Sequence, residues 1–388
     1  MKRVWKSIDY SLVLPLVIVC VLGVIMVYSA SSIVAITKYG YASDYFFRSQ
    51  LKKQILGTII LCVVMSLPFQ FWRKRIVNVF IVFGSILMLC LVLWKGKVVN
   101  NAQAWIFGMQ PAEFIKVGVI VVSARFLAKR QETDTPIWHG AGSTTIFLVL
   151  TFLLIYKQPD LGTALLILGT VGIMFLCSGI QIGRWIKRVT LSSVIWAPLL
   201  YFIGKHSLSP VQIARITTAI NPFNDPQGKG FQLVNSFVAI ASGGVSGRGL
   251  GNSIQKYGYL PEPHTDFIMA IVSEELGFIG VAIILIALLV IVIRSFRIAQ
   301  KCKDPFGSFL AIGIGSMIGV QTVVNLGGIT GLLPLTGVPV PFISFGGSSL
   351  LANLLAMGIL LNVASSVKQQ ENRVEQQPKQ ERHLVVVK

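Results

Sequence analysis

The segment GYLPEPHTDFIMAIVSEELGFIG, residues 258–280, places a histidine and several carboxylates at the start of a strongly apolar run. Asp266 stands just before the run, and Glu274 and Glu275 stand inside it. Ionisable groups at membrane depth are rare, so each is a functional candidate by default. Such a carboxylate can accept a proton from a reacting hydroxyl group. It can also serve only the structure, as a helix cap or as the partner of a buried cation.

Asp266 is the strongest single candidate, because it stands at the predicted N-terminus of a helix after Pro263-His264-Thr265. The positive end of the helix dipole favours its ionised form, whereas partial burial raises its pKa and makes it a better base. Capping of the helix by Thr265 or Asp266 is the structural alternative. Glu274 and Glu275 lie about 80° and 180° further around the helix, so they cannot both share its face. For either Glu, a buried pairing with Lys or Arg is the alternative to a functional role.

A second pair of charges, Glu113 and Lys116, opens the predicted fourth span in the sequence MQPAEFIKVG. Proline at the first helical position and an acidic residue at the third are typical of a helix start. The two side chains are three residues apart and share a helix face. A structural ion pair, worth about 0.2–0.5 kcal/mol on a helix surface, is therefore the alternative to substrate binding.

Further candidates lie at predicted outer helix ends and in outer loops: Arg48, Trp105 and Asp160. An interfacial aromatic anchor is the alternative for the tryptophan, and a helix cap is the alternative for the aspartate. Together these residues predict one outward-facing cavity at the membrane surface, suited to a hydrophilic group carried on a lipid. The spacing of His, Cys and Asp does not predict a metal cluster.

The composition predicts an all-α polytopic membrane protein. Only 13% of the 388 residues are charged and the mean hydropathy is +0.72, whereas soluble domains carry about 25% charged residues. No small-residue cleavage site follows the first apolar run, so that run is predicted to be a retained span. About ten transmembrane helices are predicted, near residues 12–29, 55–67, 77–93, 114–127, 144–156, 161–177, 191–203, 267–293, 309–326 and 349–363.

The distribution of Lys and Arg predicts that both termini are cytoplasmic, because most of the 34 basic residues fall in short clusters on one side of the alternating spans. The net charge of +19 is explained by these clusters and by contact with anionic lipid headgroups of the bilayer. We therefore predict no nucleic-acid partner. The domain prediction is a transmembrane unit over residues 1–367, with a disordered cytoplasmic tail over 368–388.

A long extracellular loop is predicted over residues 204–265, between the seventh and eighth spans. Within it, FQLVNSFVAIA predicts a short helix at the membrane interface, and SGGVSGRGLG lacks the GK[ST] of a phosphate loop, which favours turns and close packing. Residues 328–349, rich in Gly and Pro, predict irregular backbone that forms a wall or lid over a cavity.

Five motifs together resemble the SEDS family (shape, elongation, division and sporulation): QPAEFIKV, QPDLGTA, NPFNDPQGKGFQLVNS, PEPHTDF and LLPLTGVPVPFISFGGSS. The resemblance runs from about residue 8 to residue 364. It implies ten membrane helices and the polymerisation of lipid II into glycan strands at the outer face of the bacterial plasma membrane. It also implies a class B penicillin-binding transpeptidase and other divisome membrane proteins as partners.

The resemblance assigns Asp266 as the catalytic carboxylate, which would accept the proton of a sugar hydroxyl. A departing pyrophosphate requires cations, for which Arg48, Lys116 and Arg215 are candidates. No cofactor is assigned, although a divalent cation, Mg²⁺ or Mn²⁺, stays possible. The remaining expected substrate contacts are Trp105, Glu113, Asp160, His264 and Glu274.

Within the family, LPEPHTDF and GLLPLTG favour the division branch and septal cell-wall synthesis over the elongation branch. SEELGFIG is similar to the sporulation branch. Met269 and Phe345 replace the common Phe and Tyr of the family motifs conservatively. A lipid II flippase or other transporter is the alternative function, although transporters tend to show inverted repeats and none is evident here. A divisome scaffold would not explain the buried acids.

Overall fold

The computed structural model describes residues 7–99, 102–133, 141–179 and 210–386. The described chain is almost entirely helical, as the sequence predicted. The helices are α1 Tyr10–Thr37, α2 Tyr45–Ser66, α3 Gln70–Arg73, α4 Arg75–Lys95, α5 Pro111–Thr133, α6 Ala141–Lys157, α7 Leu161–Leu176, α8 Pro210–Ile220, α9 Phe231–Gly243, α10 Ile268–Lys301, α11 Pro305–Ile329 and α12 Gly347–Val386. Nine of the ten predicted spans overlap these helices, and the seventh, 191–203, lies outside the described residues.

Five of the described helices are long and apolar enough to cross a membrane: α1, α4, α10, α11 and the Gly347–Asn372 part of α12. Buried residues concentrate in α11 and α12, whereas most of α4 is exposed on the surface of the bundle. α11 packs against α5, α7 and α10, and α12 runs along α2. The centre of the bundle therefore consists mainly of the last helices of the chain, and Asp266 directly precedes one of them, α10.

Aspartates fix the starts of several helices. Asp9 accepts a hydrogen bond from Ser11 N (3.0 Å), Asp160 from Thr163 N (3.1 Å) and Asp304 from Phe306 N (2.9 Å). Each carboxylate satisfies an amide that the first turn of a helix leaves unpaired, and its negative charge suits the helix dipole. The predicted helix cap is therefore confirmed for Asp160.

Some of the structure differs from the sequence prediction. A hairpin of β1 Lys97–Val99 and β2 Ala102–Trp105 follows α4, where a loop was expected. Much of the predicted outer loop is helical, with α8, the 3₁₀ helix Pro222–Asn224 and the interfacial helix predicted at FQLVNSFVAIA, which is α9. The backbone of α12 continues to Val386, in a segment whose Gln, Glu, Lys and Arg have high helix propensity; disorder of the tail in solution stays a prediction.

Helix α10 is interrupted at Gly277, whose φ of 65° and ψ of −165° are not helical. The glycine loop, residues 244–251, packs into this interruption. Four backbone hydrogen bonds join the two segments: Arg248 N to Glu274 O (2.9 Å), Gly249 N to Glu275 O (3.0 Å), Phe278 N to Gly244 O (3.0 Å) and Ile279 N to Val245 O (3.2 Å). Irregular backbone at membrane depth must be satisfied by other protein groups, and the glycine loop meets that requirement here.

Glycine is required at the contact because the two backbones touch. A Cβ at Gly277 would lie 2.3 Å from Gly247 N, and a Cβ at Gly247 would lie 2.2 Å from Glu275 O. Both residues also have positive φ, which disfavours larger side chains. The predicted role of SGGVSGRGLG in turns and close packing is therefore confirmed.

We expect Gly277→Ala to destabilise the protein more than Gly244→Ala. Both positions have positive φ, so both variants carry backbone strain of about 1–3 kcal/mol. At Gly244, however, nothing lies within 4 Å of the added Cβ, so this variant lacks the backbone clash. Thermal unfolding of the purified proteins in detergent measures the difference, and equal melting temperatures would show that the close approach carries no stability.

Candidate active site

Asp266 lies in the turn immediately before α10, and Asn325 of α11 fixes its backbone. Asn325 Nδ2 donates to Asp266 O (2.8 Å) and to Val338 O (2.7 Å). The N-cap of α10 is Phe267, and no side chain caps this helix. The contacts of Asp266 therefore do not support the capping alternative, because its carboxylate stays available for another partner.

The Asp266 carboxylate faces a cavity of about 180 Å³. The walls come from α8, the start of α9 and the segment before α12, and the polar residues among them are Arg215, Thr218, Lys229 and Gln232. Gly337 forms part of the opposite wall, where an added Cβ would lie 3.4 Å from Asp266 Oδ2. A carboxylate and two cations thus share one small cavity at a helix end.

Burial raises the pKa of Asp266 from 3.8 to about 6, and the nearby carboxylates of Glu262 and Asp160 act in the same direction. Arg215 opposes the shift by favouring the ionised form. Desolvation and the two carboxylates therefore outweigh the attraction of Arg215, so the pKa of Asp266 rises. A carboxylate with a pKa near 6 is ionised at neutral pH and is a stronger base than an ordinary aspartate.

Glu113 and Lys116 form an ion pair with 2.8 Å between Oε2 and Nζ, and their side chains are only 4% and 2% exposed. The predicted contact is therefore present, although it is buried instead of lying on a helix surface. A buried pair is governed by desolvation, so removal of one partner costs about 3–5 kcal/mol. The estimate for a surface pair, made from sequence alone, does not apply.

Asp160 couples this pair to Asp266. Its carboxylate accepts hydrogen bonds from Gln110 Nε2 (2.9 Å) and Thr163 Oγ1 (2.9 Å). Burial raises the pKa of Asp160 most; the hydrogen bonds from Thr163 lower it, Glu113 raises it and Lys116 lowers it. Because Asp160 interacts electrostatically with Asp266 and with the ion pair, the four predicted residues belong to one group of interacting charges.

Of the predicted site residues, only Asp266 and Arg215 line the cavity, and Arg48, Trp105 and His264 lie outside it, as Glu113, Lys116 and Asp160 do. Arg48 lies in the first turn of α2, pairs with Asp44 (2.6 Å) and is 71% exposed. Trp105 ends β2, opposite Lys97 of β1. His264 is buried between the rings of Phe46 and Phe345, at centroid distances of 4.6 and 5.5 Å. Burial and Lys38 lower the pKa of His264 to about 4, so its imidazole is neutral at pH 7, and its predicted contact with substrate stays a prediction.

Glu274 and Glu275 bind the segment that follows the glycine loop. Glu274 accepts from Ser253 Oγ (2.5 Å) and Ile254 N (2.8 Å). Glu275 pairs with Lys256 Nζ (2.8 Å) and accepts from Gly251 N (3.0 Å). The predicted pairing with a cation is confirmed for Glu275 but not for Glu274, whose carboxylate binds Ser253 and Ile254; the substrate contact of Glu274 stays a prediction.

Lys229 and Gln232 are cavity residues that the sequence analysis did not select. Both fall within NPFNDPQGKGFQLVNS, which was used as a family motif and, from Phe231 onward, as the start of a predicted helix. The Asp225 carboxylate accepts from the backbone N of Gly228 and of Lys229, each at 3.0 Å, and so fixes the turn that brings Lys229 to the cavity. An aspartate that binds the backbone amides just after it is a known turn signal, so Asp225 was the sequence feature that could have indicated this turn.

No group of three or more His, Cys, Asp or Glu residues that could hold a metal ion occurs within the described ranges. A divalent cation that bridges substrate phosphates needs only one or two protein carboxylates. The possibility of Mg²⁺ or Mn²⁺ therefore stays a prediction, with Asp266 as the carboxylate that faces the cavity.

Comparison with known proteins identifies the class. Residues 10–369 match the model of the FtsW/RodA/SpoVE family, described as cell cycle proteins. The chain belongs to this family, and it is a multi-pass membrane protein. The resemblance identified from the motifs is confirmed.

Individual relatives cover nearly the whole chain. A Bacillus subtilis protein named probable peptidoglycan glycosyltransferase FtsW is 42% identical over 97% of this chain and 96% of its own length. Stage V sporulation protein E of the same organism is 40% identical, covering 92% of this chain and 97% of its own.

Two solved structures share the fold. The first is a chain from a study of how a peptidoglycan synthase complex coordinates polymerization and crosslinking; its TM-score is 0.71 at 27% identity, covering 93% of this chain and 98% of that chain. The second is the rod shape determining protein RodA of Thermus thermophilus, with a TM-score of 0.63 at 25% identity, covering 93% and 97%.

Asp266→Asn should stabilise the fold at neutral pH. Because the pKa of Asp266 is raised from 3.8 to about 6, the wild type loses stability relative to the variant as the pH rises from about 4 to 6. The difference between pKa values of 3.8 and about 6 corresponds to about 3 kcal/mol at most, and partial exposure of the carboxylate reduces the expected effect to about 1 kcal/mol. Melting temperatures of both proteins from pH 4 to 8 test this, and a less stable variant at pH 7.5 would favour a structural role.

Proposed function

We propose that this protein is a peptidoglycan glycosyltransferase that polymerises lipid II at the outer face of the plasma membrane during septal wall synthesis. The main support for this proposal is the cavity that contains the Asp266 carboxylate, with a pKa near 6, and the cations Arg215 and Lys229. The names of the relatives at 42% and 40% identity support division or sporulation more directly than elongation.

In the proposed step, Asp266 accepts the proton of the acceptor sugar's 4-hydroxyl group. The hydroxyl oxygen forms a bond to the anomeric carbon of the donor as the bond from that carbon to the pyrophosphate oxygen breaks. Attack from the opposite face inverts the anomeric configuration, so an α-linked donor gives a β-linked polymer. The proton on Asp266 is later released to water, which restores the base.

Arg215 and Lys229 are placed to balance the charge of the leaving pyrophosphate. Both line the cavity of Asp266, and cations that face a developing anion stabilise it in the transition state. Contacts close to the desolvated Asp266 carboxylate are stronger than they would be in bulk water. Lys229 thus takes the role that the sequence analysis gave to Arg48, because Arg48 does not line the cavity and is paired with Asp44.

The proposed partners are lipid II, a class B penicillin-binding transpeptidase and other divisome membrane proteins. The likeness to a chain of a peptidoglycan synthase complex over 93% of this chain supports a transpeptidase partner. Location at the division septum follows from the proposed division role.

We expect Asp266→Asn to lower polymerisation of purified lipid II by at least about 10²-fold, because it removes the proton acceptor. The wild-type rate should fall about tenfold from pH 7 to pH 5 as a base with pKa near 6 becomes protonated. Glycan ladders on gels, made with the cognate transpeptidase present, measure both effects.

Glu262→Gln provides the matched control, since Glu262 raises the pKa of Asp266 without lining the cavity. Its loss should shift the midpoint of the pH profile downward and leave the rate at pH 7 near that of the wild type. Substantial ladder formation by well-folded Asp266→Asn at pH 7 would remove Asp266 from the base role.

A separate test asks whether the ion pair of Glu113 and Lys116 is only structural or whether Lys116 also binds the substrate. Lys116→Met leaves Glu113 buried and unpaired, so we expect a loss of about 3–5 kcal/mol of stability. Exchange of both residues, Glu113→Lys with Lys116→Glu, restores an ion pair and should restore most of the melting temperature. If Lys116 contacts the substrate pyrophosphate, the exchanged protein is folded but inactive, which is the result we expect. An active exchanged protein would show that the pair is only structural.

One observation bears on the transporter alternative. Discontinuous helices are typical of transporters, where the freed backbone groups bind ions, and α10 is interrupted at Gly277. Here the backbone groups at the interruption bind the glycine loop, and Glu275 is paired with Lys256. These contacts favour a fixed support over an ion site. Movement of labelled lipid II across liposomes without ladder formation would instead support a flippase.

A further inference from the structure

A second cavity, of about 200 Å³, lies at the other end of α10 from Asp266. On α10 its lining residues are Arg294, Arg297, Ile298 and Lys301. Their spacing of three, four and seven residues places them on one helix face. The positive-inside rule assigns this end of the bundle to the cytoplasm, so the cavity is separate from the proposed active site.

The face of α12 that lines the cavity has the same spacing and runs from Ala364 to Glu371. Polar contacts tie the three walls together: Arg294 to Asp9 (2.6 Å) joins α10 to the start of α1, Lys301 to Glu371 (2.9 Å) joins α10 to α12, and Lys368 Nζ to Ile8 O (3.0 Å) joins α12 to α1. Each pair of walls is therefore connected, and the cavity is a built feature of the helix packing.

The cavity carries more positive than negative charge. Four cations and two carboxylates line it, which leaves an excess of two positive charges. Arg294 and Lys301 are paired with the two carboxylates. Lys368 donates only to a backbone carbonyl, and Arg297 makes no ion pair or hydrogen bond to any residue within the described part of the chain. An anion is the complementary ligand.

The volume of the cavity and its apolar wall limit which anion can bind. Pockets for drug-sized ligands hold about 300–1,000 Å³, so this cavity fits a small charged group instead of a whole molecule. Ile298 and Val367 are buried in its wall, which gives an apolar surface beside the cations. A phosphate attached to acyl chains matches both surfaces, whereas a free phosphate matches only the cations.

We propose that this cavity binds the phosphate headgroup of an anionic phospholipid of the inner leaflet. The lipid contacts Arg297 and Lys368 through its phosphate and the α10–α12 groove through its glycerol and first acyl carbons. Because the site joins α1, α10 and α12, bound lipid stabilises the packing of α10, the helix that follows Asp266, against its neighbours.

The test uses the purified full-length protein in neutral detergent, titrated with phosphatidylglycerol or phosphatidylcholine and followed by native mass spectrometry. We expect preferential binding of one phosphatidylglycerol. Since each Lys or Arg near a headgroup is worth about fivefold in affinity, Arg297→Gln with Lys368→Gln should weaken binding about thirtyfold. The matched control is Lys74→Gln with Arg75→Gln, which removes the same charge from the same side of the membrane but outside the cavity.

If the double variant does not fold, the single change Arg297→Gln, at an exposed side chain, should weaken lipid binding about fivefold. Arg297→Lys should keep the affinity. Inorganic phosphate should not displace the lipid, because it has no acyl chain. Equal losses in the cavity and control variants would show a general surface attraction and overturn the proposal. Displacement by inorganic phosphate would overturn the assignment to a lipid.

Discussion

The insertion of the glycine loop into the interruption of α10 is the constraint on which the rest of the candidate site depends. A helix that breaks near the membrane surface leaves carbonyl and amide groups that must find partners within the protein. The loop supplies four backbone hydrogen bonds, and the carboxylates of Glu274 and Glu275 hold the residues that follow it. The chain from α9 to Asp266 is therefore anchored to the helix that Asp266 precedes.

Because other contacts anchor this part of the chain, the partly buried carboxylate of Asp266 is not needed as a structural partner. It can therefore stay unpaired and available to react. Glu275 is paired with Lys256 and belongs to the scaffold, whereas Asp266 has its backbone, and not its carboxylate, fixed by Asn325. Two carboxylates nine residues apart thus serve different purposes. The raised pKa of Asp266 is the consequence of leaving it unpaired in a desolvated place.

Local signals in the sequence predicted much of the fold. Apolar length indicated the helices, the spacing of Glu113 and Lys116 indicated their pairing, and Asp160 was recognised as a helix cap. The partners of Glu274 and Glu275 were not predictable, because Ser29 reaches Glu275 from 246 residues away. Nor could spacing show that the positive φ of Gly277 admits another backbone, since an isolated glycine in an apolar helix has many explanations. Lys229 was missed because its position depends on a turn held by Asp225.

The two ends of α10 then perform different tasks with the same physical means. At its start, desolvation and a pair of cations suit a carboxylate that transfers a proton. At its end, an excess of cations beside an apolar wall suits an anion at the bilayer surface. Both ends are charged, so each cavity requires that its walls be fixed by other contacts. Those contacts are the glycine loop at one end and the ion pairs of Asp9 and Glu371 at the other. A long membrane helix can therefore carry two polar sites provided that separate interactions with neighbouring elements fix each site in place.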